Sequence, residues 1–157
     1  MKCLSLFSLV LGGIALVTFH TSHAYAQIIT IDSPLDYGEF VLRDNNNVNT
    51  IVINTDGTYT SSPDYIFFRD PQMGEVSLTN FTPLTTLNVN IGVTSLTAAG
   101  GTANFLTVSP FTTPSVITTD VNGDVSFEVG ATLSSSGSGV LHSDGTYDGI
   151  FNVTILP

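Results

Sequence analysis

The run Val125-Ser126-Phe127-Glu128-Val129-Gly130-Ala131-Thr132-Leu133 alternates apolar side chains with small or polar ones along its whole length. A period of two puts Val125, Phe127, Val129, Ala131 and Leu133 on one face of an extended chain and leaves the intervening residues on the other. That pattern predicts a strand with one buried face.

The same period returns on both sides of this run. Leu87, Val89, Ile91 and Val93 alternate with Asn88, Asn90, Gly92 and Thr94, and Tyr147, Gly149, Phe151, Val153 and Ile155 form a third set near the end of the chain. Shorter strand candidates are Ile28 to Asp32, Phe40 to Arg43, Thr50 to Asn54, Tyr65 to Arg69, Glu75 to Asn80, Phe105 to Val108 and Ser115 to Thr119. About ten short strands result. Turn signals separate them: Ser33-Pro34, Asp56-Gly57, Ser62-Pro63, Gly100-Gly101, Asn122-Gly123 and Asp144-Gly145. In these pairs Asn or Asp tolerates the left-handed region and Gly adopts it freely.

No substantial helix is expected after residue 26. The Gly- and Pro-free stretch from Glu39 to Asp56 is interrupted by Asn45-Asn46-Asn47 and is otherwise rich in β-branched residues, which disfavour helix and suit pleated surfaces. The expected fold is all-β, an antiparallel immunoglobulin-like β-sandwich, with a small antiparallel barrel as the alternative. The low-complexity segment Ser134-Ser135-Ser136-Gly137-Ser138-Gly139 reads as a flexible loop at a hairpin or a sheet-to-sheet crossing, because alternation resumes beyond it.

Residues 1 to 26 read as a cleaved secretory signal. A cation at Lys2 precedes an apolar run from Leu4 to Phe19, and Ala24-Tyr25-Ala26 supplies the small-residue cleavage pattern. The run is shorter than the roughly 20 residues needed to span a bilayer, so no membrane span is expected after cleavage. Cys3 precedes the apolar run and leaves with the leader.

The expected mature chain, residues 27 to 157, is a single domain without cysteine or lysine, and its one histidine is His142. Packing and backbone pairing alone must stabilise it, and thiolate ligation of a metal is excluded. Its basic residues are Arg43 and Arg69 against 13 acids, so its formal charge is 2 minus 13, or −11. Nucleic acid and anionic membrane surfaces would repel such a chain.

Few motifs carry chemistry. Leu141-His142-Ser143-Asp144-Gly145 holds the residue types of a hydrolytic triad, but consecutive residues entering a turn point in different directions. Asp120, Asn122 and Asp124 occupy the first, third and fifth positions of a calcium-loop pattern, whereas Val125 and Ala131 stand where the loop needs Gly and a bidentate Glu. Asn122-Gly123 is read instead as the turn of a hairpin. The acids mostly sit at turns, as Asp56, Asp120, Asp144 and Asp148 do, and no pair is marked as a glycosidase dyad. Asn80-Phe81-Thr82 and Asn152-Val153-Thr154 match the glycosylation acceptor pattern, which matters only in a eukaryotic secretory route. No phosphate-cradling loop, zinc motif or dinucleotide fingerprint is present, so no enzymatic activity and no cofactor are expected.

Two segments carry a resemblance. Leu35-Asp36-Tyr37-Gly38-Glu39-Phe40 resembles a D-F-G opening, and Gly145-Thr146-Tyr147-Asp148-Gly149-Ile150-Phe151-Asn152-Val153-Thr154-Ile155 resembles the final G-x-Y-x-G-x-F-x-V-x-V strand of a secreted bacterial family of unknown function. That family is itself similar to spore-coat-U and chaperone–usher pilin domains. The resemblance implies an immunoglobulin-like domain of the bacterial surface or periplasm, structural roles for these motif residues, and partners such as other surface subunits or a periplasmic chaperone. Tyr147, Phe151, Val153 and Ile155 would form the core-facing side of a last strand.

Only Gln27 to Asp32 precede the Ser33-Pro34 break, a reach of about 20 Å. So short a segment does not easily serve both as a strand of its own domain and as a donor to a neighbour, and a self-complete sandwich is expected. The absence of lysine removes a common device for blocking sheet edges, which leaves self-assembly or another subunit at an edge open. The expected function is therefore a secreted, non-enzymatic structural or adhesive surface protein, fimbrial or pilin-like. The alternative is a free-standing module that binds carbohydrate or calcium near Asp120, Asp124, Asp144 and Asp148, with Tyr59, Tyr65 and Tyr147 as stacking groups.

Overall fold

A computed structural model describes residues 26–92, 97–98, 106–142 and 144–157. Residues 1–25, where the leader is expected, and Val93, Thr94, Gly100-Gly101, Phe105 and Ser143 lie outside the described residues. The described residues form strands and no helix: β1 (Ile28–Ser33), β2 (Glu39–Leu42), β3 (Thr50–Ile53), β4 (Tyr59–Ser61), β5 (Tyr65–Arg69), β6 (Gly74–Thr79), β7 (Thr86–Gly92), β8 (Thr97–Ala98), β9 (Leu106–Thr112), β10 (Val116–Thr118), β11 (Val125–Ser135), β12 (Tyr147–Asp148) and β13 (Asn152–Leu156).

Every pairing is antiparallel. The largest sheet runs β1-β6-β11-β3-β4, with β9 also paired to β11. Smaller sheets are β10-β7-β13, β2-β5 and β12-β8. This is an antiparallel β-sandwich; the barrel alternative is set aside because the sheets do not close on one another.

The alternating run that opened the sequence reading is the spine of the molecule. The first half of β11 pairs with β6, from Val125↔Leu78 to Val129↔Gly74. In its second half, Ala131, Leu133 and Ser134 each pair with both β3 and β9, which must therefore lie on opposite edges of β11. Phe127, Val129, Ala131 and Leu133 are essentially inaccessible, as period two requires.

Those four side chains feed two apolar clusters in series. Phe127 and Val129 join Val76, Leu78, Leu87, Val89 and Ile117, so the first half of β11 and β6 pack on the β10-β7-β13 sheet. Ala131 and Leu133 join Ile51, Tyr65, Leu106 and Val108, with Phe40, Leu42 and Phe67 packed alongside, so the second half packs on the β2-β5 sheet. The rings of Phe40 and Tyr65 meet edge to face at 5.1 Å, a preferred aromatic geometry.

Four local expectations are corrected. The C-terminal alternation does not form one strand: β12 and β13 are separated by Gly149 to Phe151, and β12 pairs with β8 whereas β13 pairs with β7. Alternation specifies a face but not the partner, and here the partner changes midway. Asn122-Gly123 does not close a hairpin either, since β10 belongs to the β7 sheet and β11 to the main sheet, so the turn carries the chain across the sandwich. The strand β4, which pairs with β3 beyond the Asp56-Gly57 turn, was not anticipated because Tyr59-Thr60-Ser61 is too short and polar to show a period.

The fourth correction concerns the serine- and glycine-rich loop, which is fastened rather than free. Ser134 and Ser135 belong to β11, and beyond them the buried Asn45 holds the segment. Its side chain donates to the Val140 carbonyl at 2.6 Å and to Ser136 Oγ at 3.2 Å, and accepts from the Gly137 N–H at 3.1 Å. Its backbone carbonyl accepts from the Gly139 N–H at 2.7 Å. An asparagine offers both donors and acceptor to a loop that lacks backbone partners of its own.

Candidate functional site

The Asp36-Tyr37-Gly38 motif is a clasp between the β1–β2 connection and the end of β5. Asp36 exchanges backbone hydrogen bonds with Gln72, at 3.0 and 2.7 Å. Its carboxylate accepts from the Gly38 N–H at 2.8 Å and from Arg69 Nη1 at 2.5 Å. The Arg69 guanidinium holds the Asp36 carboxyl below the usual carboxylate range, outweighing partial desolvation, with the Gly38 N–H adding to it. Gly38 has a φ of 77° and lies so close to Arg69 that a Cβ would stand 2.1 Å from its carbonyl oxygen, so glycine is required there twice over. Tyr37 packs against the second cluster. Its hydroxyl is buried without a hydrogen-bond partner among the described residues, and burial pushes its pKa up.

The C-terminal motif residues divide between the clusters. Tyr147 packs on the cluster beneath β2-β5, while Val153 and Ile155 pack on the one beneath β10-β7-β13. Phe151 lies between them with its ring 5.2 Å from that of Phe111. Gly145 and Gly149 are exposed in the connections.

The calcium candidates are engaged in holding the crossing turn. Asp120 Oδ1 accepts the N–H groups of Asn122 and Asp124 at 2.8 and 2.9 Å, and Asn122 Nδ2 donates to Asp120 Oδ2 at 3.3 Å. Asp124 Oδ1 accepts the Asn80 N–H at 3.2 Å. The backbone donors of Asp124 and Asn122 lower the Asp120 pKa, the mark of a capping carboxylate. Gly123 has a φ of 87° and a Cβ there would lie 2.0 Å from the Phe81 carbonyl oxygen. Among the described residues no group of three His, Cys, Asp or Glu side chains is placed to hold a metal ion.

His142 stands edge-on to Tyr147 with ring centroids 6.4 Å apart, and burial lowers its pKa. Asp144 is exposed. Two of the three tyrosines considered as stacking groups face inward: Tyr65 is buried and Tyr147 packs on the core. Tyr59 donates to Asp70 at 2.7 Å and leans on Phe67. Asn80 and Asn152 are both exposed, Asn80 at a positive-φ turn and Asn152 on β13.

The feature that the sequence reading missed is an uncovered edge. Residues directly opposite in an antiparallel pair share a face, so Ile29 and Ile31, paired with Leu78 and Val76, lie on the core side of the main sheet. Val76 and Leu78 are 1% and 0% exposed, yet Ile29 and Ile31 are 47% and 60% exposed. The facing β10-β7-β13 sheet stops at β13, whose core-facing Val153 and Ile155 are only half-buried. A shallow cavity of about 180 Å³ marks the place, lined by residues that include Gln27, Phe81, Leu87, Ile155 and Pro157. It adjoins both the start of β1 and the end of β13. Composition gave no sign of this, because β1 looks like any buried strand.

Among the described residues no helix is long and apolar enough to cross a membrane. Residues 28–156, from the first residue of β1 to the last of β13, match a family described as a domain of unknown function, DUF4402. No curated protein and no solved structure matches the chain.

Proposed function

We propose that this chain, which belongs to the DUF4402 family of domains of unknown function, is a secreted, non-enzymatic structural or adhesive subunit of the bacterial surface that joins its neighbours by strand addition. The observation that carries this reading is the exposure of Ile29 and Ile31 on the core side of the main sheet, beside the outer edge of β13, which has no strand partner among the described residues. A strand laid along β13 would pair with its free main-chain groups and cover both isoleucines and the cavity, with its own alternate apolar side chains turned inward. Covering each half-exposed isoleucine contributes roughly 1 kcal/mol, before any main-chain pairing.

The signal-like leader, the strongly acidic composition and the resemblance to pilin-type domains support the same reading. The segment β1 pairs with its own β6, so the open place is beside β13 and not beside β6. The binding-module alternative draws less support, because Asp120 and Asp124 hold backbone N–H groups and Tyr65 and Tyr147 face inward.

The test is urea unfolding of the purified protein with and without an extended peptide of alternating apolar and polar residues. The expected result is a cooperative transition whose midpoint rises with peptide concentration, as ligand linkage requires. A midpoint unmoved by any such peptide, together with recovery of the protein from its host as a lone species, would sink the proposal.

A further inference from the structure

We infer that the outer face of the β2-β5 sheet docks a second copy of this chain about a two-fold axis. Phe40, Leu42, Tyr65 and Phe67 turn inward to the core, so Glu39 and Val41 of β2 and Ile66 and Phe68 of β5 turn outward, with Arg43 exposed just beyond β2 and Arg69 opposite Glu39 across a bulge. Val41 and Ile66 are direct cross-strand partners. They and Phe68 are 47%, 43% and 70% exposed, an apolar strip with nothing packed on it among the described residues.

Charge identifies the occupant. Along the outward face, Glu39 with Arg69 opposite it stands at one end of the apolar strip, and Arg43 with Asp64 beside it stands at the other. A two-fold axis through Val41 brings Glu39 of one copy against Arg43 of the other and repeats the contact in reverse, which makes the face complementary to itself. Among the described residues the Arg43 side chain meets Asp64 in an exposed pair at 3.7 Å and donates to the Pro63 carbonyl at 3.0 Å, and such surface pairs are readily exchanged. Beyond residue 26 the only other cation is Arg69, which stands opposite Glu39 and binds Asp36. The inference does not depend on strand addition at β13.

Sedimentation equilibrium of the purified protein, from micromolar to millimolar concentration, tests it. The expected result is a reversible dimer weakened at least about tenfold by Phe68→Ser, since Phe68 is the largest and most exposed apolar side chain of the strip. Glu39→Arg and Arg43→Glu are each expected to abolish self-association, and a mixture of the two variants to restore it as a heterodimer. Ile31→Ser, which damages the β13 groove, is expected to leave the dimer unchanged. A monomer throughout the range, a dimer indifferent to the charge reversals, or two variants that stay apart when mixed would each overturn the inference.

Discussion

Ile28-Ile29-Thr30-Ile31 in β1 and Ile51-Val52-Ile53 in β3 are two isoleucine-rich stretches of the same sheet with opposite fates. Ile51 and Ile53 are 0% and 1% exposed, while Ile29 and Ile31 are 47% and 60% exposed. Both strands are paired antiparallel, β3 between β11 and β4 and, among the described residues, β1 on β6 alone. The difference is not in the strands but in what stands across from them. The core beneath β3 is filled by Tyr65, Leu106 and Leu133, whereas the facing layer ends at β13 before it reaches β1. Burial is a property of the layer opposite, and the same kind of side chain that stabilises one part of the fold is left exposed at another.

The largest effect expected from this contrast is on stability. Ile51→Ala is predicted to cost about 2–5 kcal/mol, through lost transfer energy and the cavity left behind, and Ile31→Ala less than about 1 kcal/mol. Urea midpoints of the two variants measure the gap, and similar losses would break the comparison.

Asn45 sharpens the same point with a polar residue on the closed side. Asn45→Ala is predicted to cost about 1–3 kcal/mol, because it strips partners from the Gly137 N–H and the Val140 carbonyl. Hydrogen exchange in residues 136 to 140 is expected to rise with it. Unchanged exchange would mean that the loop is held by something other than Asn45.

On the open side, the doubly substituted Ile29→Ser, Ile31→Ser protein is predicted to lose about 1–2 kcal/mol, because each isoleucine is only about half-buried. Its affinity for an added strand peptide is predicted to fall about tenfold. A large intrinsic destabilisation would mean that β1 is already covered in solution.

The smallest effect is at the clasp. The Asp36 pKa is lowered by Arg69, so its contribution to stability is fully present above the ordinary carboxylate pKa and is lost as pH falls through the depressed folded value. Asp36→Asn is therefore predicted to flatten part of the acid limb of the stability profile, measured by thermal unfolding from neutral pH downward. An unchanged limb would assign the acid sensitivity to other carboxylates, such as Asp56 and Asp120, whose pKa values are lowered as well.

The sequence by itself determined the longer strands and which of their side chains share a face, because a period of two is a local property of successive side chains. Thus Phe127, Val129, Ala131 and Leu133 were legible as core, Leu87 and Val89 likewise, and the turn residues Asp120 and Gly123 as turn residues. Only the tertiary structure decided which strands pair, where the C-terminal alternation breaks between β12 and β13, that Asn45 fastens a distant serine-rich loop, and that Ile29 and Ile31 face an uncovered edge. Each of these depends on residues far apart in the chain, with Asn45 and Gly137 separated by 92 positions. Local alternation tells a side chain which way to point, and it carries no information about whether anything stands there to meet it.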